Sequence, residues 1–256
     1  MEDFAKHIVV PWDFTERAEQ ALAHAFLLQK GRVGIKLAHI VSKEAEVEPA
    51  KIKLQEVIDK VKAEKNFELT MVVRRGNIFK DLGKIAEEFN ALLVVMGVHD
   101  SRNRRGLKVV VKSPVPFVLV KDFPLHDAYR EIVVPMDEDK KNRIMLNWVI
   151  ILSKYYDANI DIFKPFLSNS VANTKMKGQL FFIKKNLDSN GIVYGVKTSK
   201  RDTNFPEEVF RFLDEIQADM MLLMSHTFKK YIKKVGENKT PILVINPLKA
   251  KLGGFS

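Results

Sequence analysis

The sequence contains no cysteine. That excludes disulfides, thiolate zinc sites, iron–sulfur clusters and a cysteine nucleophile. Long apolar runs are missing as well. The longest, residues 91–98, is far short of the roughly 20 residues a membrane helix needs. The N-terminus, Met1-Glu2-Asp3-Phe4-Ala5-Lys6-His7, lacks the shape of a secretory signal. The histidines at 7, 24, 39, 99, 126 and 226 show no metal-ligand spacing. There is no Gly-x-Ser-x-Gly elbow and no Gly-x4-Gly-Lys-[Ser/Thr] phosphate loop. No carboxylate pair has a spacing that suggests acid–base work. Nothing reads as an active site, and a soluble cytoplasmic protein is the expectation.

What is present is ordinary for a globular chain. Hydrophobic residues make up 46% and charged residues 29%, which argues against a disordered or collagen-like chain. At 256 residues the chain suggests one or two domains, each able to bury a core. The net charge is +10, spread over both halves with no basic tail. Such a balance speaks to solubility and loose attraction to anions, not to fold.

An internal repeat organises the sequence. Ile8-Val9-Val10-Pro11-Trp12-Asp13 returns 124 residues on as Ile132-Val133-Val134-Pro135-Met136-Asp137. Pro116-Phe117-Val118-Leu119-Val120 returns as Pro241-Ile242-Leu243-Val244-Ile245. Leu92-Leu93-Val94-Val95-Met96 answers Met220-Met221-Leu222-Leu223-Met224. Nearly constant offsets imply one domain written twice, 1–124 and 125–256, with the link at residues 122–127.

Each half alternates short apolar runs with helical periodicity. After the run at 8–11, Ala18, Ala21, Leu22, Ala25 and Leu28 make one helix face. Asp13 or Thr15 can cap that helix, with Glu16 in its first turn. Further strands are expected at 35–41, 69–74, 92–96 and 117–121, with a short helical piece at 107–112. In the second half, strands are expected at 132–135, 160–164, 192–198, 220–224 and 242–246. The helix between its second and third strands carries Met176, Leu180, Ile183 and Leu187 on its apolar face. Strand–helix alternation implies an α/β fold with parallel strands, right-handed crossovers and helices on both faces. Continuous apolar runs fit strands buried on both sides. Such sheets bind ligands beyond the carboxyl ends of the strands, where strand order reverses.

The segment Ile8 to Leu22, Ile-Val-Val-Pro-x-Asp-Phe-Thr-Glu-x-Ala-x-x-Ala-Leu, resembles the opening of a universal stress protein. Gly76-Asn77-Ile78, Ile85-Ala86, the run ending Met96-Gly97 and the closing strand from Pro116 fit as well. The resemblance covers nearly the whole chain as two tandem domains. It implies two doubly wound domains, each a five-stranded parallel sheet in the order 3-2-1-4-5 with four helices. It also implies pairing of the two domains through their last strands, an intramolecular pseudo-dimer open to further self-association.

Nucleotide-binding members of that family carry Gly-x2-Gly-x9-Gly-[Ser/Thr] after the fourth strand. Bare backbone N–H groups there approach phosphate. Here Gly97 is followed by Val98-His99-Asp100, so a carboxylate stands at the second glycine position, and Val110 at the third. In the second half Ser225 replaces the first glycine. Both phosphate loops look dismantled. The resemblance leaves Asp13, Val41, Met96 and Gly97 as cofactor-side positions in the first half, and Asp137 in the second. The plain alternative for Asp13 and Asp137 is helix capping.

Both halves also place cations after their fourth strand. Arg102, Arg104, Arg105, Lys108 and Lys112 do so in the first, and Lys229, Lys230, Lys233, Lys234 and Lys239 in the second. Cationic side chains at Arg104, Arg105, Lys108, Lys229, Lys230 and Lys233 could replace lost glycine amides as anion ligands. The alternative is a solvated helix face.

Three functions compete. The first is a non-enzymatic stress-response protein with weak or lost ATP binding, acting through a small anionic ligand or a protein partner. The second is a regulator that binds ATP or AMP in the first half. The third is polyanion or nucleic-acid binding through the basic segments, which no helix-turn-helix or RNA-recognition signature accompanies. ATP hydrolysis has no visible base, lysine or metal carboxylate to carry it. No membrane role and no metal are expected.

Overall fold

The computed structural model describes residues 6–31, 33–98, 107–137, 139, 142–232, 234–235 and 237–246. The first half runs β1 (His7–Pro11), α1 (Glu16–Gln29), β2 (Gly34–Val41), α2 (Val47–Lys65), β3 (Thr70–Arg75), α3 (Ile78–Glu88), β4 (Ala91–Gly97), α4 (Leu107–Lys112) and β5 (Phe117–Val120). The second runs β6 (Glu131–Pro135), α5 (Asn142–Tyr156), β7 (Asn159–Lys164), α6 (Ser170–Ser189), β8 (Tyr194–Thr198), α7 (Phe205–Glu215), β9 (Met220–Met224), α8 (Ser225–Tyr231) and β10 (Ile242–Ile245). A 3-10 turn, Glu44–Glu46, precedes α2.

Local chemistry explains the boundaries. Asn169 starts α6 by accepting from the N–H groups of Val171 and Ala172, at 2.9 and 3.0 Å. Asn204 does the same for α7 through Glu207, and Pro206 sits in that helix's first turn. α2 ends on Asn66 with φ 50°, a left-handed conformation that asparagine tolerates. The expected helical piece at 107–112 is α4 itself.

The strand order is β3-β2-β1-β4-β5-β10-β9-β6-β7-β8. Each half therefore has the order 3-2-1-4-5, and every pairing within a half is parallel. The two five-stranded units are not separate sheets. β5 and β10 pair antiparallel, Ile242 opposite Leu119 and Val244 opposite Phe117, giving one sheet of ten strands. The physical reason is edge satisfaction. Each last strand would otherwise present a row of unpaired backbone groups. Antiparallel pairing of equivalent strands relates the halves by a local two-fold.

Alternation along the strands feeds two cores. Ile8 and Val10 point into one core with α1, α2, α5 and α6. Val9 points into the other with α3, α4, α7 and α8. Both cores run through both halves, since Ile132 joins the first and Val133 the second.

A polar seam ties α1 to the second half. The buried His24 ring lies with Nε2 3.0 Å from the Asp122 carbonyl and Nδ1 2.6 Å from the Tyr129 hydroxyl. A carbonyl only accepts, so Nε2 carries the proton and Nδ1 accepts from Tyr129. Burial pushes the His24 pKa down to about 4. Burial, then the charge of Asp219, pushes the Tyr129 hydroxyl far above its ordinary value. Tyr156 and Tyr155 donate to the carbonyls of Leu28 and Gln29, at 2.8 and 2.7 Å. Those carbonyls belong to the last turn of α1 and would lack partners otherwise.

Candidate ligand mouths at the strand carboxyl ends

In the first half, β1 lies between β2 and β4, with Val9 opposite Val94 and Pro11 opposite Ala38. Extending that register puts Gly97 level with Trp12 and Val41 level with Phe14. The sequence-derived positions Asp13, Val41, Met96 and Gly97 thus share one end of the sheet. Val41 is buried, and its carbonyl accepts from Gly76 N–H at 2.9 Å. Met96 is half-buried and packs against the core that holds Val9.

Asp13 does not cap α1. Its carboxylate accepts from the Thr15 N–H at 3.1 Å and from the Thr15 hydroxyl. Thr15 is the N-cap residue, and neither side chain bonds the first N–H groups of the helix. Asp137 repeats the turn by accepting from Asp139 N–H at 3.0 Å. Both shared aspartates are turn formers, and in the second half the other carboxylate oxygen of Asp137 also meets Lys230.

Gly97 has a packing reason. A Cβ there would stand 2.6 Å from the Arg17 carbonyl oxygen and 2.8 Å from Arg17 Cβ. Glycine lets the first turn of α1 lie against the end of β4. The resemblance marked this position as a cofactor-side glycine, and the sequence pattern does not show the close approach to Arg17.

Two further residues frame the first mouth. Phe14 takes φ 60° and is exposed. Its ring meets Trp12 at 6.4 Å and His39 at 5.1 Å, both edge to face. His39 Nδ1 bonds the Trp12 carbonyl. The Trp12 indole N–H is buried without a partner among the described residues. Strand alternation in β2 was the signal that could have placed His39.

The second mouth is built differently. α8 begins at Ser225, directly after β9, with Met224 as its N-cap residue. In the first half, residues 99–106, after the end of β4, lie outside the described residues, and α4 is described from Leu107 on. Two contacts join α8 to the loop after β6, one of them an ion pair. Lys230 lies 3.8 Å from Asp137, and His226 lies 3.5 Å from Asp139.

Arg104, Arg105 and Lys233 lie outside the described residues, as do His99 and Asp100. Lys108 lies on α4, and Lys229 is exposed on α8. The second basic segment is largely matched by acids. Besides Lys230, Lys234 meets Glu237 and Lys239 meets Asp122, each at 2.8 Å. Among the described residues no group of His, Asp and Glu could hold a metal ion, and no helix could cross a membrane.

Residues 5–121 match the family model described as the universal stress protein family. A universal stress protein from Archaeoglobus fulgidus has a similar structure, with a TM-score of 0.73 and 15% identity, covering 94% of this chain and 96% of that one. A functionally unknown protein from Pseudomonas aeruginosa follows, with a TM-score of 0.67 and 11% identity, covering 94% and 92%. At these identities the likeness carries the fold alone. No curated protein matches the sequence.

Proposed function

We infer that this chain, whose residues 5–121 match the universal stress protein family model, is a stress-response protein that works by binding rather than by catalysis. The first mouth takes a small ligand at Asp13, Val41, Met96 and Gly97, with Phe14 and His39 beside it. The observation that carries this reading is the difference between the mouths. In the second, Lys230 and His226 of α8 lie beside the loop aspartates Asp137 and Asp139. In the first, an exposed aromatic ring, Phe14, stands at the loop after β1, where the Asp13 carboxylate bonds Thr15.

ATP binding is weak or lost. Asp100 stands where the family motif has its second glycine, and a carboxylate repels phosphate. Gly97 serves the contact with Arg17. The protein acts in the cytoplasm on a small anionic ligand or a protein partner, and further self-association is compatible with the tandem. The reading as a polyanion binder through Arg104, Arg105 and Lys108 has less support in its second-half counterpart, where Lys230, Lys234 and Lys239 meet carboxylates.

Mass spectrometry of small molecules released from the denatured, purified protein tests the reading, together with calorimetric titration of ATP. No co-purified nucleotide and no dissociation constant below micromolar are expected. A sub-micromolar value, weakened more by Asp13→Ala than by Asp137→Ala, would replace it with an ATP- or AMP-binding regulator.

A further inference from the structure

Equivalent helices of the two halves, α2 and α6, treat their lysines in opposite ways. α2 holds five lysines and four acids. Its Lys51, Lys60 and Lys62 pair with Glu48, Glu64 and Glu68. α6 holds Lys175, Lys177, Lys184 and Lys185 against a single acid, Asp188. That acid accepts from the Tyr194 hydroxyl at 3.0 Å. Among the described residues, none of the four α6 ammonium groups has an ion pair or hydrogen bond.

The apolar stripe of α6 is buried through Met176, Ile183 and Leu187. Phe181 lies off that stripe and is 73% exposed, the most exposed of the large apolar side chains among the described residues. Lys177 is one turn before it, and Lys184 and Lys185 are one turn after it, so all three share its side of the helix. Gly178 occupies the position three before Phe181, and a Cβ there would meet nothing within 4 Å. An aromatic ring therefore stands beside open helix backbone, ringed by unpaired cations.

We propose that the outer face of α6 binds single-stranded nucleic acid, with a base stacked on Phe181 and phosphates held by Lys177, Lys184 and Lys185. Uncompensated positive charge calls for a polyanion. A lone exposed ring selects one whose anionic groups alternate with flat rings, because stacking accepts any base. A bilayer is the poorer fit. Interfacial helices bury a continuous apolar face, whereas here Phe181 is separated from the next exposed apolar residue of α6, Val171, by more than two turns. The site is independent of the two mouths.

Fluorescence anisotropy with a labelled oligouridine, on the full chain, tests this. Phe181→Ala should weaken binding about tenfold, and Phe181→Trp should keep it. Replacing Lys177, Lys184 and Lys185 by Gln should flatten the salt dependence by about 2 in log–log slope. An unchanged thermal midpoint confirms that the exposed substitutions leave the fold intact. The proposal is overturned if Phe181→Ala binds as the parent does. It is equally overturned if replacing Lys51, Lys60 and Lys62 of α2 causes the same loss, or if polyglutamate competes as well as RNA. Phe181-dependent binding to phosphatidylserine vesicles without binding to oligouridine would assign the face to a membrane instead.

Discussion

The two mouths occupy equivalent ends of one sheet, yet they solve different problems. In the first, Gly97 gives up its side chain so that α1 can press on β4. Phe14 stays exposed at the loop after β1. In the second, Ser225 is already the first residue of α8 and is buried, and the loop aspartates are tied to that helix. The shared turn at Asp13 and Asp137 thus survives with different surroundings. A repeated aspartate marks a repeated turn with different neighbours.

The largest effect expected from this comparison lies between the halves, at His24. The unfolded chain takes up a proton there near the ordinary value of 6.5, and the folded chain only near 4. The unfolded state therefore binds more protons in that window, and stability falls as pH drops through it. About 3 kcal/mol is at stake, at roughly 1.4 kcal/mol per unit. Urea unfolding between pH 7 and pH 4 should show the loss, and His24→Phe should remove most of the dependence. An unchanged slope in that variant would place the acid sensitivity elsewhere.

Next in size is the glycine contrast. Gly97→Ala drives a Cβ against the backbone of Arg17, which no rotamer change relieves. A cost of about 1–3 kcal/mol is expected. Ser225→Ala, at the equivalent position, should cost under about 1 kcal/mol, since no hydrogen bond of its hydroxyl is present among the described residues. Chemical denaturation of the two variants compares the mouths directly. Similar losses would mean that the first mouth is no more tightly built than the second.

Particular residues show why some of this was legible and some was not. Ile8-Val9-Val10-Pro11 and its repeat announce parallel strands because a strand buried on both faces must be apolar at every position. The strand order within each half followed from the resemblance that those repeats carry. The fusion into one sheet rests on backbone pairing of β5 with β10, which leaves no mark on side-chain pattern. His24 did leave a mark. It falls three residues after Ala21 and one before Ala25, on the apolar face of α1, where a histidine has to find buried partners. Gly97 was readable as a special position, but its reason, the backbone of Arg17, is tertiary. The exposure of Phe181 was visible as a departure from the stripe of Met176, Leu180, Ile183 and Leu187.

The smallest effect concerns the contacts between α8 and the loop after β6. Lys230 is largely exposed and sits 3.8 Å from Asp137, and His226 sits 3.5 Å from Asp139. Pairs of this kind contribute between nothing and about 1 kcal/mol, because water screens the attraction and two side chains lose freedom. Lys230→Gln should therefore barely move the unfolding midpoint. Its consequence is local. Losing the cation beside Asp137 leaves that carboxylate with its turn bond to Asp139 N–H and less positive charge beside it. If the pairs keep the second mouth shut, Lys230→Gln combined with His226→Gln should speed amide exchange in the first turn of α8 while leaving the segment at Asp13 unchanged. Equal exchange in parent and variant would show that the direct β9–α8 junction alone closes the mouth, and that the contacts merely decorate it.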